Sequence, residues 1–125
     1  MTDREVTACL IVIGNEILSG RTKDANLPFL AVGLNALGVR LREARVIPDI
    51  EETIVATVNE CRARFDYVIP PGGIGPTHDD ITADAVAKAF GVEIGINREA
   101  YDRLLKHYGD PAIFTPARQR MARIP

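Results

Sequence analysis

The chain has 125 residues, of which 46% are hydrophobic, so it is long enough for one domain with a real core and too short for two. A formal net charge of -2 gives no general affinity for polyanions, which argues against nucleic acid as a partner. The long apolar run near the N-terminus covers only residues 6–13, too short to span a bilayer, so we expect no membrane partner.

That apolar run is the first predicted element. It is nearly continuous and ends at Gly14, which is typical of a strand buried on both faces in the centre of a parallel sheet. Cys9 lies inside the run, and Cys61 lies on the face of a later predicted helix. Because the two are in neither a metal-type nor a paired spacing, we expect buried thiols in a reducing compartment, and hence a cytoplasmic protein.

A loop over residues 14–23 leads into the first predicted amphipathic helix. Asp24 or Asn26 is suited to cap this helix, and Gly38 ends it. Its apolar stripe consists of leucines at helical spacing, namely Leu27, Leu30, Leu34 and Leu37.

Residues 39–47 alternate between apolar and charged positions, which predicts a strand near the sheet edge. Asp49, followed three residues later by Glu52, forms a variant of the capping box and predicts the start of a second amphipathic helix. That helix carries Ile50, Ile54, Val58, Cys61 and Phe65 at helical spacing.

The second half of the chain continues the alternation of predicted strands and helices. A strand with Val68 and Ile69 runs into glycines, a third helix stops at Gly91, and a short strand is expected over residues 92–96. Asn97 is the expected cap of a fourth helix, which Gly109 ends. This pattern predicts a three-layer α/β/α sandwich with a mostly parallel central sheet.

The glycine stretch is the strongest functional signal. Gly72, Gly73 and Gly75 release the backbone from side-chain sterics and present a row of backbone N–H groups, which suits an anion. The spacing matches neither a dinucleotide-binding loop nor a Walker loop, which also requires a lysine.

Polar residues follow the glycines directly. Thr77, His78, Asp79 and Asp80 add a hydroxyl, an imidazole and two carboxylates, a cluster that suits a phosphate, a metal ion or both. Adjacent loop carboxylates are suited to a hard cation such as Mg²⁺, with a substrate phosphate supplying further ligands. The alternative is a tight turn whose aspartates merely favour the start of the next helix.

Two stretches carry a family resemblance. Residues 71–82, PGGIGPTHDDIT, resemble the signature loop of the molybdopterin-binding (molybdenum cofactor biosynthesis) domain family, in its competence/damage-inducible CinA-like branch. Residues 14–21, GNEILSGR, with Asp24 and Asn26 after them, resemble the opening loop of that branch. The resemblance implies a single molybdopterin-binding-like domain over residues 1–125, and a family domain that continues past Pro125, so that its C-terminal part is missing here.

The resemblance also implies a ligand site. Family members place the loop that contains Glu16 beside the ligand; Asp80 aligns with an aspartate of the wider family, and Asp79 belongs to the CinA-like branch. We therefore expect catalytic and metal-binding roles for Asp79 and Asp80. The expected ligand-binding residues are Gly14, Asn15, Glu16, Asp24, Asn26, Gly72, Gly73, Ile74, Gly75, Thr77 and Asp84.

Several of these positions have simpler explanations. Helix capping accounts for Asp24 and Asn26, and the helix dipole accounts for Asp84, which stands where relatives carry a glutamate. Glu16 is equally well explained as a solvated loop carboxylate, and a lone loop histidine such as His78 is usually surface.

Two further features bear on the ligand. Pro70 and Pro71 stand where many relatives carry a serine or threonine, which removes a hydroxyl and two backbone donors and stiffens the loop entry. The C-terminal arginines form either a clamp for phosphate charge or the solvated face of a short helix, and the second interpretation is favoured. They are Arg118, Arg120 and Arg123.

Three functions remain open. The resemblance implies binding of a small phosphorylated ligand, either molybdopterin or a nucleotide. It also implies, as an alternative, a Mg²⁺-dependent nucleotide pyrophosphatase of the ADP-ribose type, with Asp79 and Asp80 holding the metal. The third is a non-catalytic assembly domain. A homo-oligomer is also predicted from apolar residues near the sheet edge and in the C-terminal segment, namely Leu41, Val46, Ile47, Ile113 and Phe114. The resemblance implies that this oligomer is a dimer or a trimer.

Overall fold

The computed structural model describes residues 4–125, and contacts between residues divide them into two compact units. The first unit comprises the described residues up to Pro71, and the second is Gly72–Pro125. Within the described residues, no helix combines the length and the apolar character that a membrane crossing requires.

The first unit is built on a parallel sheet with strand order β2-β1-β3. Its elements are β1 (Val6–Ile13), α1 (Asn15–Leu18), α2 (Asn26–Ala36), β2 (Val39–Ile47), α3 (Glu51–Arg64) and β3 (Tyr67–Ile69). Residues 8–13 of β1 are all buried, so this strand is central, as its continuous apolar run predicts. β2 lies at the edge of the sheet and alternates between half-buried and exposed positions, as its sequence pattern also predicts.

A β-bulge shifts the register between β1 and β2. Ala8 lies opposite Leu41, but the next residue, Cys9, lies opposite Glu43, so Arg42 is the extra residue on β2. Paired residues of a parallel sheet project from the same face, and the bulge therefore places Glu43 beside Cys9.

Both cysteines are free and buried, as expected. Burial, reinforced by the neighbouring Cys61, raises the pKa of the Cys9 thiol to about 12. Cys9 is therefore a protonated thiol at neutral pH.

The start of α3 differs from the predicted capping box. The helix begins at Glu51 with Ile50 as its N-cap, so Asp49 stands one residue before the cap position. The end of α2 agrees better with prediction, because Gly38 follows it in a left-handed conformation with φ +78°.

The second unit contains three helices and a small antiparallel ribbon. Its elements are α4 (Thr82–Phe90), β4 (Gly95–Ile96), α5 (Arg98–Tyr108), α6 (Pro116–Gln119), a 3-10 turn (Arg120–Ala122) and β5 (Arg123–Ile124). The strand expected over residues 92–96 is shortened to β4, because its partner β5 offers only two residues for pairing. The sequence pattern does not predict β5.

Helix boundaries in this unit follow the predicted signals. The Asn97 side chain accepts a hydrogen bond from the Ala100 amide at 2.9 Å and caps α5. Gly91 ends α4 and Gly109 ends α5, both in the left-handed conformation.

The expectation that Phe114 is part of an apolar surface is wrong. Its side chain is only 2% exposed, because it packs against the rings of Tyr101 and Tyr108, with centroids 5.0 and 5.8 Å away. Ile47 is likewise buried, which leaves Val46 and Ile113 exposed among the residues expected at that surface.

The most exposed apolar side chains lie instead on and just after α2. They are Phe29 at 77%, Val32 at 73% and Leu37 at 79% exposed. This group is hereafter the α2 apolar face. Side chains of this kind are usually covered by other protein surface when they occur together.

Candidate functional site

The glycine loop is fastened to the first residue of α4. The Thr82 hydroxyl donates a hydrogen bond to the Gly72 carbonyl at 2.8 Å, and the Thr82 amide donates to the Gly73 carbonyl at 3.1 Å. Thr82 is buried, so both bonds are protected from water. These two bonds set where the loop lies relative to the start of the helix.

Two of the loop glycines are required by their surroundings. Gly73 adopts φ +65°, and a Cβ atom added there would overlap the Thr82 hydroxyl. A Cβ atom at Gly75 would lie 2.9 Å from Asp80 Oδ2, closer than such atoms approach. The loop is therefore compact because its glycines admit Thr82 and Asp80.

Asp80 organises the same loop. Its Oδ2 accepts hydrogen bonds from the Thr77 hydroxyl at 2.8 Å and from the Thr77 amide at 3.0 Å. The Thr77 hydroxyl, followed by the amides of Thr77 and Gly75, holds the pKa of Asp80 below its ordinary value. Both hydrogen bonds to Oδ2 come from Thr77, which precedes Asp80, so Asp80 orders the turn before α4.

Asp79 and His78 point outward. The Asp79 side chain is 86% exposed, and its carboxylate lies 3.9 Å from the His78 imidazole. The surface environment of His78 agrees with the simpler explanation for a lone loop histidine.

These surroundings bear on the expected magnesium site. The Asp80 carboxylate is engaged by its own loop, whereas the Asp79 carboxylate is open to solvent. Mg²⁺ commonly keeps several waters and takes one or two carboxylates together with substrate phosphates. The residues present therefore fit a magnesium ion that binds together with a phosphate ligand and contacts Asp79. They fit less well an ion whose ligands all come from the protein.

A cavity of about 250 Å³ adjoins the glycine loop within the second unit. One wall is the loop and the first turn of α4, and the other is the C-terminal segment. The lining residues are Gly73, Ile74, Gly75, Asp80, Ala83, Asp84, Arg120, Met121, Arg123, Ile124 and Pro125.

Arg123 and Asp84 face each other in this wall. The guanidinium of Arg123 donates to both carboxylate oxygens of Asp84, at 2.6 and 3.5 Å, and both side chains are partly buried. Asp84 thus has a specific cationic partner in addition to its place in the first turn of α4. The pair braces the helix against β5.

Arg120 contributes a second guanidinium. Its Nε is buried and has no hydrogen-bond partner among residues 4–125. Its charge also helps to lower the pKa of Asp80, which places the two groups within electrostatic reach. A buried donor without a partner is unusual. The guanidinium to which it belongs is a group that commonly binds anions.

The structure places these arginines differently from the favoured prediction of a solvated helix face. Arg120 and Arg123 line the cavity, and the guanidinium carbon of Arg118 lies over the Tyr108 ring, 4.8 Å from its centroid. The sequence feature that points to these arginines is their concentration near the C-terminus. Their orientation depends on the β4–β5 pairing, which cannot be recognised from the sequence.

The remaining expected ligand residues lie in the first unit. The Gly14 amide donates to the Ile47 carbonyl at 3.1 Å, which joins the ends of β1 and β2. The Glu16 carboxylate folds over Gly14 so closely that a Cβ atom at this glycine would overlap it. Asn15 Oδ1 accepts a hydrogen bond from the Asp49 amide at 3.4 Å. Gly14, Asn15 and Glu16 are therefore gathered at one end of the sheet.

Asp24 acts as a helix cap. Its two carboxylate oxygens accept hydrogen bonds from the amides of Asn26, at 3.2 Å, and Leu27, at 3.0 Å. Asn26 is the first residue of α2. Capping thus explains why Asp24 is present, and a ligand role for either residue stays a prediction.

Comparison with known proteins extends the resemblance. The profile of the family described as "probable molybdopterin binding domain" matches residues 9–123. A Pyrobaculum calidifontis protein is 42% identical over 120 residues, which cover 95% of this chain and 46% of the relative. A Caenorhabditis briggsae protein named probable FAD synthase is 41% identical over 107 residues, covering 83% of this chain and 20% of the relative. The chain spans less than half the length of these relatives.

Solved structures agree with the fold. The CinA protein of Thermoplasma acidophilum, described as of unknown function, matches with a TM-score of 0.86 and 36% identity over 97% of this chain and 71% of that one. The tungsten cofactor synthesizing protein MoaB of Pyrococcus furiosus matches with a TM-score of 0.65 and 20% identity, over 86% of this chain and 68% of that one. These matches confirm the α/β fold with a mostly parallel sheet and the CinA-like resemblance.

Proposed function

The chain belongs to the probable molybdopterin-binding domain family, in its CinA-like branch, and on that basis we propose that the cavity beside its glycine loop binds a phosphorylated pterin or nucleotide. The single observation that carries this proposal is the placement of two arginine side chains, Arg120 and Arg123, in the wall of that cavity opposite the glycine loop. Guanidinium groups are common partners of phosphate oxygens.

The opposite wall of the cavity is the glycine loop, whose Gly73, Ile74 and Gly75 line it. Thr82 and Asp80 occupy the space that Cβ atoms would fill at the two glycines, and they hold the loop in place beside the cavity. Arg123 adds positive charge, although Asp84 neutralises part of it. Guanidinium groups in the wall of a cavity are a common arrangement for recognising phosphate.

The size of the cavity suggests which part of the ligand it takes. Pockets that enclose whole drug-sized ligands are on the order of 300–1,000 Å³. At about 250 Å³, this cavity suits the phosphate or diphosphate end of a ligand better than a complete pterin nucleotide. The heterocycle would then be contacted by residues outside this cavity.

The named relatives support a nucleotide more than they support a free pterin. The Caenorhabditis briggsae relative carries the name probable FAD synthase, and FAD is a dinucleotide whose halves are joined through a diphosphate. That relative is 41% identical to this chain, whereas the MoaB structure at 20% identity supports the fold alone. We therefore place a diphosphate-bearing nucleotide first among the ligands to be tested.

A Mg²⁺-dependent nucleotide pyrophosphatase is the second candidate. The observation in its favour is the solvent-open carboxylate of Asp79, four residues past the last glycine of the loop. Bound Mg²⁺ would offset the charge of a diphosphate and activate water, and Asp79 would help to hold it. Asp80 would hold the conformation of the glycine loop. In this proposal it is a residue that positions the loop and not a catalytic residue.

One experiment separates binding from turnover. The purified protein is titrated with ADP-ribose, FAD and a phosphorylated pterin, each with and without Mg²⁺, and the mixtures are then analysed for AMP and other cleavage products. Binding without cleavage supports the proposal, and Mg²⁺-dependent release of AMP supports the pyrophosphatase. If no ligand binds under either condition, the cavity is not a phosphate site, and the assembly-domain alternative gains support.

Asp79→Asn then tests the metal role. The substitution removes charge at an exposed position, so we expect unchanged thermal stability and a loss of Mg²⁺-dependent binding or turnover of about tenfold or more. Glu93→Gln, which alters an exposed carboxylate outside the cavity lining, is the matched control. Full Mg²⁺ dependence in Asp79→Asn rules out this residue as a magnesium ligand.

A further inference from the structure

The two cysteines meet in the interior of the first unit. Cys9 lies on β1 and Cys61 on α3, and their sulfur atoms are 3.4 Å apart. Both side chains are completely buried. They are separated by 52 positions in sequence, which is why their spacing indicates no paired or metal-binding role.

Glu43 completes a group of three potential ligands. The bulge in β2 places it opposite Cys9, and its carboxylate oxygen and the two sulfur atoms all lie within 4.8 Å of one another. Among the residues that the structure describes, it is the only set of three or more metal-ligating side chains that lie this close. The Glu43 side chain is 33% exposed, so one side of the group is open to solvent.

We propose that Cys9, Cys61 and Glu43 form a binding site for a thiophilic divalent cation, with Zn²⁺ the preferred ion. Two sulfurs and one carboxylate oxygen are a ligand set that Zn²⁺ accepts, and a water molecule on the exposed side of Glu43 would be the fourth ligand. With Zn–S distances of about 2.3 Å, two sulfurs of a tetrahedral site lie about 3.8 Å apart. The observed separation of 3.4 Å is close to that value.

The charge of the group would balance on binding. Two thiolates, Glu43 and Glu60 carry four negative charges, and Zn²⁺ together with the guanidinium groups of Arg45 and Arg64 supplies four positive ones. Arg45 lies 3.4 Å from Glu43, and its charge acts on the Cys9 thiol. A balanced cluster avoids the large cost of an uncompensated buried charge. Each thiol must lose its proton for the ion to bind.

An ion-pair network is the competing explanation for Glu43. Its carboxylate contacts Arg45 and Arg64, both at 3.4 Å, near the limit of a hydrogen bond. Arg45 makes a shorter contact of 3.1 Å with Glu60. Because both contacts of Glu43 are long, transfer of its carboxylate to a metal would break no close hydrogen bond, and Arg45 would stay paired with Glu60.

The test uses the full chain without an affinity tag, under reducing conditions. Binding of Zn²⁺ is measured by calorimetry, and Cd²⁺ and Co²⁺ report sulfur coordination through their thiolate charge-transfer and visible absorption. We expect one ion per chain and a rise in melting temperature with Zn²⁺. Cys61→Ser should abolish the thiolate signal, and Glu43→Gln should weaken binding by at least about tenfold.

Glu60→Gln is the matched control, because it removes a carboxylate from the same arginine network but not from the ligand group. Its affinity for Zn²⁺ should equal that of the wild type. If Cys61→Ser fails to fold, Cys61→Ala and Glu43→Gln, at a partly exposed position, decide the question.

The proposal is overturned by the absence of stoichiometric binding or by unchanged affinity in the cysteine variants. Equal losses of affinity in Glu43→Gln and Glu60→Gln would overturn it as well. A disulfide between Cys9 and Cys61 that forms with hydrogen peroxide, in a protein that does not bind Zn²⁺, would also overturn it and assign the pair to redox chemistry.

Discussion

The hydroxyl of Thr82, the first residue of α4, donates a hydrogen bond to the carbonyl of Gly72 at 2.8 Å. This bond, together with the bond from the Thr82 amide to Gly73, ties the glycine loop to a helix whose side chains line the cavity. The shape of the proposed phosphate site therefore depends on a buried threonine that need not contact the ligand.

Thr82→Val tests that dependence. Valine keeps the shape of threonine but leaves the Gly72 carbonyl without its partner, so we expect a loss of about 1 kcal/mol in the free energy of unfolding and weaker nucleotide binding. Thr82→Ser retains the hydroxyl and should restore most of the binding. Denaturant melts and ligand titrations of both variants provide the measurements. Equal affinities for valine and serine would show that this bond does not shape the site.

Gly73→Ala should reduce stability and ligand binding by more than the positive φ of this residue alone explains. Gly73 and Gly91 have nearly the same dihedral, φ +65° and +66°, but only Gly73 has a neighbour in the way, the Thr82 hydroxyl. We expect Gly91→Ala to cost about 1–2 kcal/mol through strain alone and to leave binding intact. Gly73→Ala, and more so Gly73→Val, should lose both stability and binding. Comparable effects at the two positions in both assays would contradict this account.

Asp80 should make the second unit sensitive to acid. Its folded-state pKa lies below the ordinary value of 3.8, so its contribution to stability is present above that value and is lost as the pH falls through the folded-state pKa. Asp80→Asn should be destabilised by about 1 kcal/mol near neutral pH, because the charge-assisted bonds from Thr77 are weakened. The difference between wild type and variant should shrink below about pH 4 in urea melts over a pH series. A difference that is independent of pH would mean that the Asp80 charge does not order the loop.

The α2 apolar face leads us to propose a homo-oligomer, in keeping with the expectation from sequence. Large apolar side chains as exposed as Phe29 and Val32 are unfavourable in water, and a second copy of the chain would cover them. Sedimentation at micromolar concentration should show a dimer or trimer, and Phe29→Glu should shift it to monomer. Tyr67→Glu, which places the same charge at another exposed aromatic residue, is the control. A wild-type protein that sediments only as monomer would contradict the prediction.

Much of the secondary structure was predictable because its causes are local. A continuous apolar run indicates the buried strand β1, and Asn97 and Gly109 bound α5 through hydrogen bonds and backbone conformations that lie within a few residues. The glycine loop was also identifiable, because its residues are contiguous. The partners of Gly73 and Gly75, however, are side chains of Thr82 and Asp80, whose roles appear only in three dimensions.

Features that depend on distant pairing could not be predicted. β5 exists because residues 123–124 pair with residues 95–96, and this pairing carries Arg123 into the cavity wall. The bulge that places Glu43 beside Cys9 has no signature in either strand alone. Asp49 shows the converse. It has capping-box spacing to Glu52 in sequence, but the helix begins at Glu51, so Ile50 and not Asp49 occupies the N-cap position.

The most direct test of the proposed function compares two arginine substitutions. Arg120→Ala removes a guanidinium from the cavity wall, whereas Arg103→Ala removes the same charge from an exposed i,i+4 pair on α5. With ADP-ribose or FAD as the ligand, isothermal titration calorimetry should show an affinity lower by about tenfold or more for Arg120→Ala and little change for Arg103→Ala. The loss at Arg120 should be accompanied by an unaltered melting temperature. Wild-type affinity in a folded Arg120→Ala protein would contradict the assignment of this cavity as the phosphate site.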